Sequence, residues 1–300
     1  MKKFLLLALV LIVVVILIFM FTPAKLLTKY FLNNCPADGP VKQTDFEMYS
    51  EPVDLAKYKE EIFSYSDIAT INVLETTKYQ DKDYEIYQVD IKNPQAEKNL
   101  LIFAATHGNE FASALVIEDL LNQVRQNGEM YKSWNIRIIT PINPVGLAYD
   151  SRYNENGCDI NRDFENFSTI GAKIQRQAIE QFKPQVIVSL HEGPQGGFFV
   201  IAESPVSETL RKAILFNLKK EEIHLAQKSF LGIPLSDSGL WYKKSFVYGL
   251  QKLFSIHTLG GYAHENNLTI LTTESPWTSK DVELRKKPHL VVIKTVIENF

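Results

Sequence analysis

Cysteine is nearly absent. The 300-residue chain has 2, Cys35 and Cys158, too few and too far apart for a disulfide framework or a thiolate metal cage. Any bound metal must therefore be held by His and carboxylate. An excess of positive charge is also missing: 32 Lys+Arg stand against 35 Asp+Glu, a net charge of -3, and no Lys/Arg block breaks that balance. Nothing is available to neutralise a phosphate backbone, so nucleic acid is excluded as an expected partner. Internal repeats and polar low-complexity tracts are lacking too. At 45% hydrophobic and 22% charged residues, the composition excludes a disordered chain.

The first residues are physically distinct from the rest. Lys2 and Lys3 precede an unbroken 18-residue apolar run over 4–21, which as a helix spans roughly 27 Å, near the thickness of a bilayer core. The run exceeds the apolar core of a cleaved signal peptide, and Thr22-Pro23-Ala24 makes a poor cleavage site. Residues 1–21 are therefore expected to be one N-terminal transmembrane helix serving as an uncleaved anchor, with a signal segment as the alternative. Lysines flank both ends, so the charge bias is weak; the expected orientation is a catalytic domain on the exported face. Residues 22–45 carry Pro23, Asn33-Asn34, Pro36, Gly39 and Pro40, punctuation expected of a stalk. A single folded domain is expected over 46–300.

Within that domain, apolar runs predict strands over 84–91, 100–105, 136–140, 186–190, 198–202 and 268–273, with helices over 111–126, 172–182, 208–227 and 291–299. Strand and helix alternate, which predicts an α/β domain with a mixed, largely parallel central sheet and helices on both faces.

His107-Gly108-Asn109-Glu110 follows the strand over 100–105, so His107 and Glu110, three apart on a turn, can face one ion. Alone, a pair of this kind is equally explained by a solvated turn. The strand over 186–190 delivers His191 to its own carboxyl end, and in open α/β sheets ligands gather outside such ends. Two His and one Glu leave a coordination position free, the pattern of catalytic zinc. His191-Glu192 is not the start of H-E-x-x-H, because position 195 is Gln195 and Pro194 breaks the helix which that motif needs. A third strand ends at Glu274, placed to take a proton from a water activated at the metal and pass it to a leaving amine; a helix-cap or salt-bridge carboxylate is the other reading of Glu274.

Between these lie Asn143-Pro144-Val145-Gly146, Arg152, and the stretch from Asn156 through Gly157, Asp159, Asn161 and Arg162 to Phe164. The order H-x-x-E, N-P-x-G, R-x-N-x-x-G-x-D-x-N-R-x-F, then a strand-terminal His and a late strand-terminal Glu resembles the zinc carboxypeptidase (M14) superfamily across about residues 97–278. The resemblance implies one zinc per chain on His107, Glu110 and His191, with Glu274 as general base and acid and Arg152 stabilising the oxyanion. Asn161 and Arg162 would grip a substrate carboxylate, a task suited to the planar fork of Arg; surface ion pairing with Asp150, Asp159 or Asp163 is what either arginine would suggest standing alone. Asp159 is expected to accept a proton from the His107 ring. Cys158 stands where the family commonly has a small apolar residue, so packing is expected, with pairing to Cys35 left open. His224, His257, His264 and His289 read as surface or core residues. Tyr242, Tyr248 and Tyr262 all precede Glu274, and no motif selects one as a mobile active-site tyrosine.

Thr106-His107-Gly108-Asn109-Glu110 resembles equally the branch of succinylglutamate desuccinylases and aspartoacylases. The longer link from Arg152 to Asp159 and Leu190-His191-Glu192 with Pro194 resemble murein peptide amidases and true carboxypeptidases. The expected activity is hydrolysis of an amide bond next to a free carboxylate in a peptide. An N-acyl-amino-acid deacylase is the alternative, and an inactive membrane-tethered binding module is the alternative of another class. The expected partners are a peptide or acyl-amino-acid substrate and the membrane; nothing in the sequence sets the oligomeric state.

Overall fold

The structure, a computed structural model, describes residues 28–203, 205–230, 232–243 and 245–300. The anchor expected over 1–21 lies outside the described residues. Among the described residues no helix is long and apolar enough to cross a membrane.

Among the described residues eight strands form one sheet: β1 (Thr70–Tyr79), β2 (Lys82–Ile91), β3 (Lys98–Phe103), β4 (Trp134–Thr140), β5 (Val186–Gly193), β6 (Phe199–Glu203), β7 (Leu240–Lys243) and β8 (Ile270–Pro276), in the order β1-β2-β4-β3-β5-β8-β6-β7. Parallel pairing joins β4, β3, β5 and β8 in the centre, and antiparallel pairing attaches β2 on one side and β6 on the other. The helices are α1 (Leu55–Phe63), α2 (Phe111–Gln126), α3 (Gly128–Tyr131), α4 (Pro144–Tyr149), α5 (Ile170–Phe182), α6 (Glu208–Lys220), α7 (Ser245–Leu253), α8 (Leu259–Glu265) and α9 (Val282–Asn299). The expected α/β domain with a mixed sheet flanked by helices is thus observed.

The central strands are apolar on both faces because both faces are covered. Leu100 and Ile102 of β3 join a core with Ile117 and Leu121 of α2 and Val292 and Val296 of α9, while Leu101 and Phe103 point the other way, toward Ala172 and Ile179 of α5. A strand buried on both sides reads as a continuous hydrophobic run, which is why β3 and β5 were visible in the sequence. The edge strand β1, mostly exposed, left no such trace. Helix α9 begins at Val282 and not near 291 because Asp281 caps it through the Glu283 and Leu284 amides, and Pro288 is accommodated inside although proline normally ends a helix.

The stretch 22–45, expected as a stalk, lies from residue 28 onward against the domain. A π-helical turn covers Thr28–Leu32, Tyr30 and Gln43 are buried, and Lys42 bridges to Ser151. Cys158, expected to pack as a small apolar side chain, forms a disulfide with Cys35. Asparagine, proline and glycine report irregular backbone; they do not report whether that backbone is free.

His289 of α9 is fully buried, with Nδ1 against Thr273 Oγ1 at 2.7 Å and its ring edge-on to Phe198. Burial, reinforced by the nearby charges of His191 and Arg285, pushes its pKa down to about 3. The unfolded chain takes up a proton there below about pH 6.5 and the folded chain does not, so the contribution is full above pH 6.5 and is lost as pH falls toward 3. His289→Leu is therefore expected to lessen the drop in unfolding free energy between pH 6.5 and 5 by about 1–2 kcal/mol. Urea melts of both proteins at the two pH values check this, and equal pH dependence refutes it.

Candidate metal centre

His107, Glu110 and His191 converge at the carboxyl ends of the central strands, their ligand atoms within 4.8 Å of one another and all three residues buried. His107 stands in the turn after β3, and Glu110 occupies the N-cap position of α2. This turn is tightly packed on the Asn143-Pro144-Val145-Gly146 segment: a Cβ on Gly108 would fall 1.9 Å from the Gly146 carbonyl carbon, so only glycine permits the contact. Asn143 closes the other side by accepting the Gly146 amide at 2.8 Å. His191 belongs to β5, which continues to Gly193, and it pairs in parallel register with Glu274 of β8.

Both imidazoles present Nδ1 to the carboxylate, His107 at 2.6 Å from Oε1 and His191 at 2.8 Å from Oε2 of Glu110. Their Nε2 atoms point outward, to Asp159 Oδ1 at 3.1 Å and to Ser189 Oγ at 3.0 Å. Without a metal each ring can donate its Nδ1–H to the Glu110 carboxylate; with the ring protons moved to Nε2, the two Nδ1 lone pairs and the carboxylate turn toward one point, an arrangement that suits a cation. Two neutral nitrogens and one carboxylate are the donor set of a zinc site with an open position, so the residues fit that ion.

The electrostatics agree. Burial works to raise the Glu110 pKa, but the His107 and His191 rings outweigh it and hold the carboxyl well below its ordinary range. Burial pushes His191 down, toward the neutral form that binds metal. Asp159 is held well below the carboxylate range, since Arg152, Arg162 and His107 together overcome its burial. Glu274 moves the other way: burial, with the Glu110 charge added, raises it well above that range. The Glu110 and Glu274 carboxyls are thus pushed in opposite directions.

Arg152 is held by Asp159, with Nε at 2.9 Å and Nη2 at 2.7 Å from Oδ2. Its Nη1 lies 3.3 Å from His107 Nδ1 and 3.6 Å from Glu110 Oε1. The ion pair with Asp159 and the place beside the metal ligands thus coexist. Arg162 makes no ion pair with Asp163; its Nε donates to the Tyr30 carbonyl at 2.9 Å and its Nη1 to the Asn161 carbonyl at 2.8 Å. The Asn161 side chain accepts the Leu259 amide at 2.9 Å, which ties the segment to the start of α8.

Each tyrosine left open by the sequence has a partner elsewhere: Tyr248 bonds to Glu203 and stacks on His264, Tyr262 packs on Phe164 and Phe167, and Arg211 lies over Tyr242. Sequence reasoning missed Ser189, two residues before His191 in a run that read only as apolar strand. It also missed Arg285, whose Nε reaches Glu192 at 2.5 Å. An Arg 93 positions downstream carried no motif to announce it.

Residues 96–192 match the catalytic domain of the succinylglutamate desuccinylase/aspartoacylase family. No curated protein matches the chain. Among solved structures, 86% of the chain overlays 97% of a protein from Shewanella denitrificans OS217, assigned by inference as a metallopeptidase, at 16% identity and a TM-score of 0.66. A metallo-carboxypeptidase from Pseudomonas aeruginosa, in complex with (2-guanidinoethylmercapto)succinic acid, overlays 83% of this chain with 70% of its own at 16% identity and a TM-score of 0.60. The ectoine utilization protein EutE (DoeB) of Ruegeria pomeroyi, in a product-bound structure, covers 84% of this chain and 71% of its own at 17% identity and 0.52. At these identities the overlays show a shared fold, and within it His107, Glu110 and His191 form a buried group that could hold a metal ion. The sequence likeness, over about a third of the chain, is to the succinylglutamate desuccinylase/aspartoacylase catalytic domain.

Proposed function

We propose that the protein is a zinc-dependent hydrolase that cleaves an amide bond next to a free carboxylate in a peptide, in the manner of a carboxypeptidase or murein peptide amidase. The observation that carries this reading is the convergence of His107, Glu110 and His191 with Glu274 paired in register beside them. His107, Glu110 and His191 would hold one zinc, which when bound polarises the scissile carbonyl and makes water more acidic. Glu274 accepts the proton of the attacking water and delivers it to the leaving nitrogen, a role for which a raised carboxyl pKa is suited. Asp159 accepts the Nε2 proton of His107 and so keeps the Nδ1 lone pair turned inward. The same carboxylate steadies Arg152, whose guanidinium stabilises charge developing on the carbonyl oxygen. Arg162, with Asn161, receives the substrate carboxylate.

A second reading, an N-acyl-amino-acid deacylase, is favoured by the family match over 96–192. Both readings use an amino-acid carboxylate, and both are opposed to an inactive binding module by the complete set of ligands and proton carrier. The apolar run over 4–21 supports attachment to a membrane, and the Cys35–Cys158 disulfide supports an exported catalytic domain.

The full-length chain in detergent is expected to bind one zinc and to hydrolyse one class among peptidoglycan stem peptides, ordinary C-terminal peptides and N-acyl amino acids. Amidating the substrate carboxylate is expected to slow cleavage about 10–100-fold, the effect of one charge-assisted contact. Arg162→Lys is expected to collapse most of that preference, because an ammonium cannot reproduce the planar pair of bonds. Equal hydrolysis of free and amidated substrates by the unaltered protein removes Asn161 and Arg162 from carboxylate binding while leaving the metal assignment intact.

A further inference from the structure

Residues 30–45 touch the segments that carry His107, Arg152, Asp159 and Arg162. Asp159 donates its amide to the Asn34 carbonyl at 2.7 Å, Asn109 of the His107 turn donates to Gln43 at 2.7 Å, and Val41 donates to Ser151 Oγ at 2.9 Å. Lys42 pairs with the buried Asp150 at 2.7 Å. The segment crosses so closely over Gly157 that a Cβ there would lie 1.9 Å from the Ala37 carbonyl oxygen. The Cys35–Cys158 disulfide fastens it one residue before Asp159.

Its effect on Arg162 is specific. A guanidinium has five N–H donors. The Tyr30 carbonyl takes the one on Nε and the Asn161 carbonyl takes one of the two on Nη1, while Phe31 lies across the guanidinium at 5.2 Å. Three donors remain, all at the Nη1 and Nη2 end, and that end still forms a fork for a carboxylate. Both anchoring carbonyls are neutral and so orient the guanidinium without forming an ion pair with it, the Asp159 charge acting on it through space. Tyr30 is also buried over Arg152, at 5.9 Å.

We propose that residues 30–45 form a positioning strap, stapled by Cys35–Cys158, in which the Tyr30 carbonyl fixes the edge of Arg162 that meets an anionic substrate end. Tyr30 is thus a positioning residue acting through Arg162, and the proposal rests on the reading of Arg162 as the carboxylate-binding group. Freeing the strap loosens that group, and misplacing a substrate-orienting contact weakens binding of the group it orients.

The test uses the full-length chain in detergent and a pair of peptides that differ only in a free or amidated carboxyl end. The strap is released in two ways, by the C35S/C158S double variant and by treating the unaltered protein with a phosphine reductant, which lacks thiolates to chelate zinc; the second is decisive if the variant does not fold. Release is expected to raise KM for the free-carboxylate peptide about tenfold, with zinc content and turnover of the amidated peptide unchanged. If the oxidised protein shows no preference for the free carboxylate, the clamp reading and the inference fall together. If that preference exists and survives release, the inference alone falls. It falls equally if release raises turnover of both peptides, as uncovering a plugged site would, or lowers both alike, as general damage to the fold would.

Discussion

Glu274→Gln is expected to retain one zinc per chain and to lose about 10²–10⁴-fold in turnover, the usual contribution of a general acid–base group. The substitution keeps the shape of the side chain and removes its ability to carry a proton. Glu274 pairs with His191 across β5 and β8, and a Cβ at Gly193 would lie 3.3 Å from its Oε2, so glycine there gives the carboxyl its space. His191→Ala is the contrasting variant: it deletes one of three ligands and is expected to lose zinc and activity together. Metal analysis by mass spectrometry alongside initial rates separates the two roles. Zinc loss in Glu274→Gln would make that residue a ligand, and full zinc occupancy in His191→Ala would remove His191 from the site.

Arg285→Met is expected to destabilise the fold by about 3–5 kcal/mol, the cost of breaking a buried ion pair and stranding one charge. Arg285 and Glu192 have no exposed side-chain surface. Glu192 Oε1 accepts the Ala112 amide in the first turn of α2 at 2.9 Å, while Ser275 at the end of β8 reaches Oε2 at 3.3 Å. Arg285 also donates to the Tyr49 carbonyl at 2.8 Å, so the pair joins two strands, two helices and the chain preceding α1. Burial already raises the Glu192 carboxyl despite its partner, and without Arg285 the group is driven to take up a proton. Adding Glu192→Gln to Arg285→Met is expected to restore part of the loss. Unfolding in guanidinium chloride measures both, and a deficit under about 1 kcal/mol for the single variant would show that the pair contributes little.

The sequence disclosed whatever was carried by local order. Strands β3, β5 and β8 were visible because they are apolar on both faces, and the candidate site residues lie near the carboxyl end of each or in the turn that follows it. His107, Glu110, His191 and Glu274 could therefore be picked out one strand at a time, and their convergence followed from parallel strands presenting their carboxyl ends together. The hidden parts were those whose meaning comes from a distant partner. With H-E-x-x-H excluded, Glu192 had no role legible in the sequence; its partner Arg285 stands 93 positions away. Residues 30–45 read as a spacer because their backbone is irregular, while the buried Tyr30 and Gln43 had no periodicity to report. Cys35 and Cys158 stand 123 positions apart, a separation at which a pair cannot be told from two single residues.

The pairing of His191 with Glu274 also determines which changes the chemistry tolerates. His191 and Glu274, the proposed metal ligand and proton carrier, stand on adjacent strands, so their separation is set by main-chain hydrogen bonding, at the roughly 4.8 Å spacing of neighbouring strands, and not by the conformation of a loop. Lengthening the turns around the rim, or exchanging their side chains to suit another substrate, leaves that separation untouched. Sliding β8 by a single residue does not, because it turns Glu274 to the opposite face of the sheet. Selection for new substrates can act on the rim while the reacting pair stays fixed in the least deformable layer of the molecule.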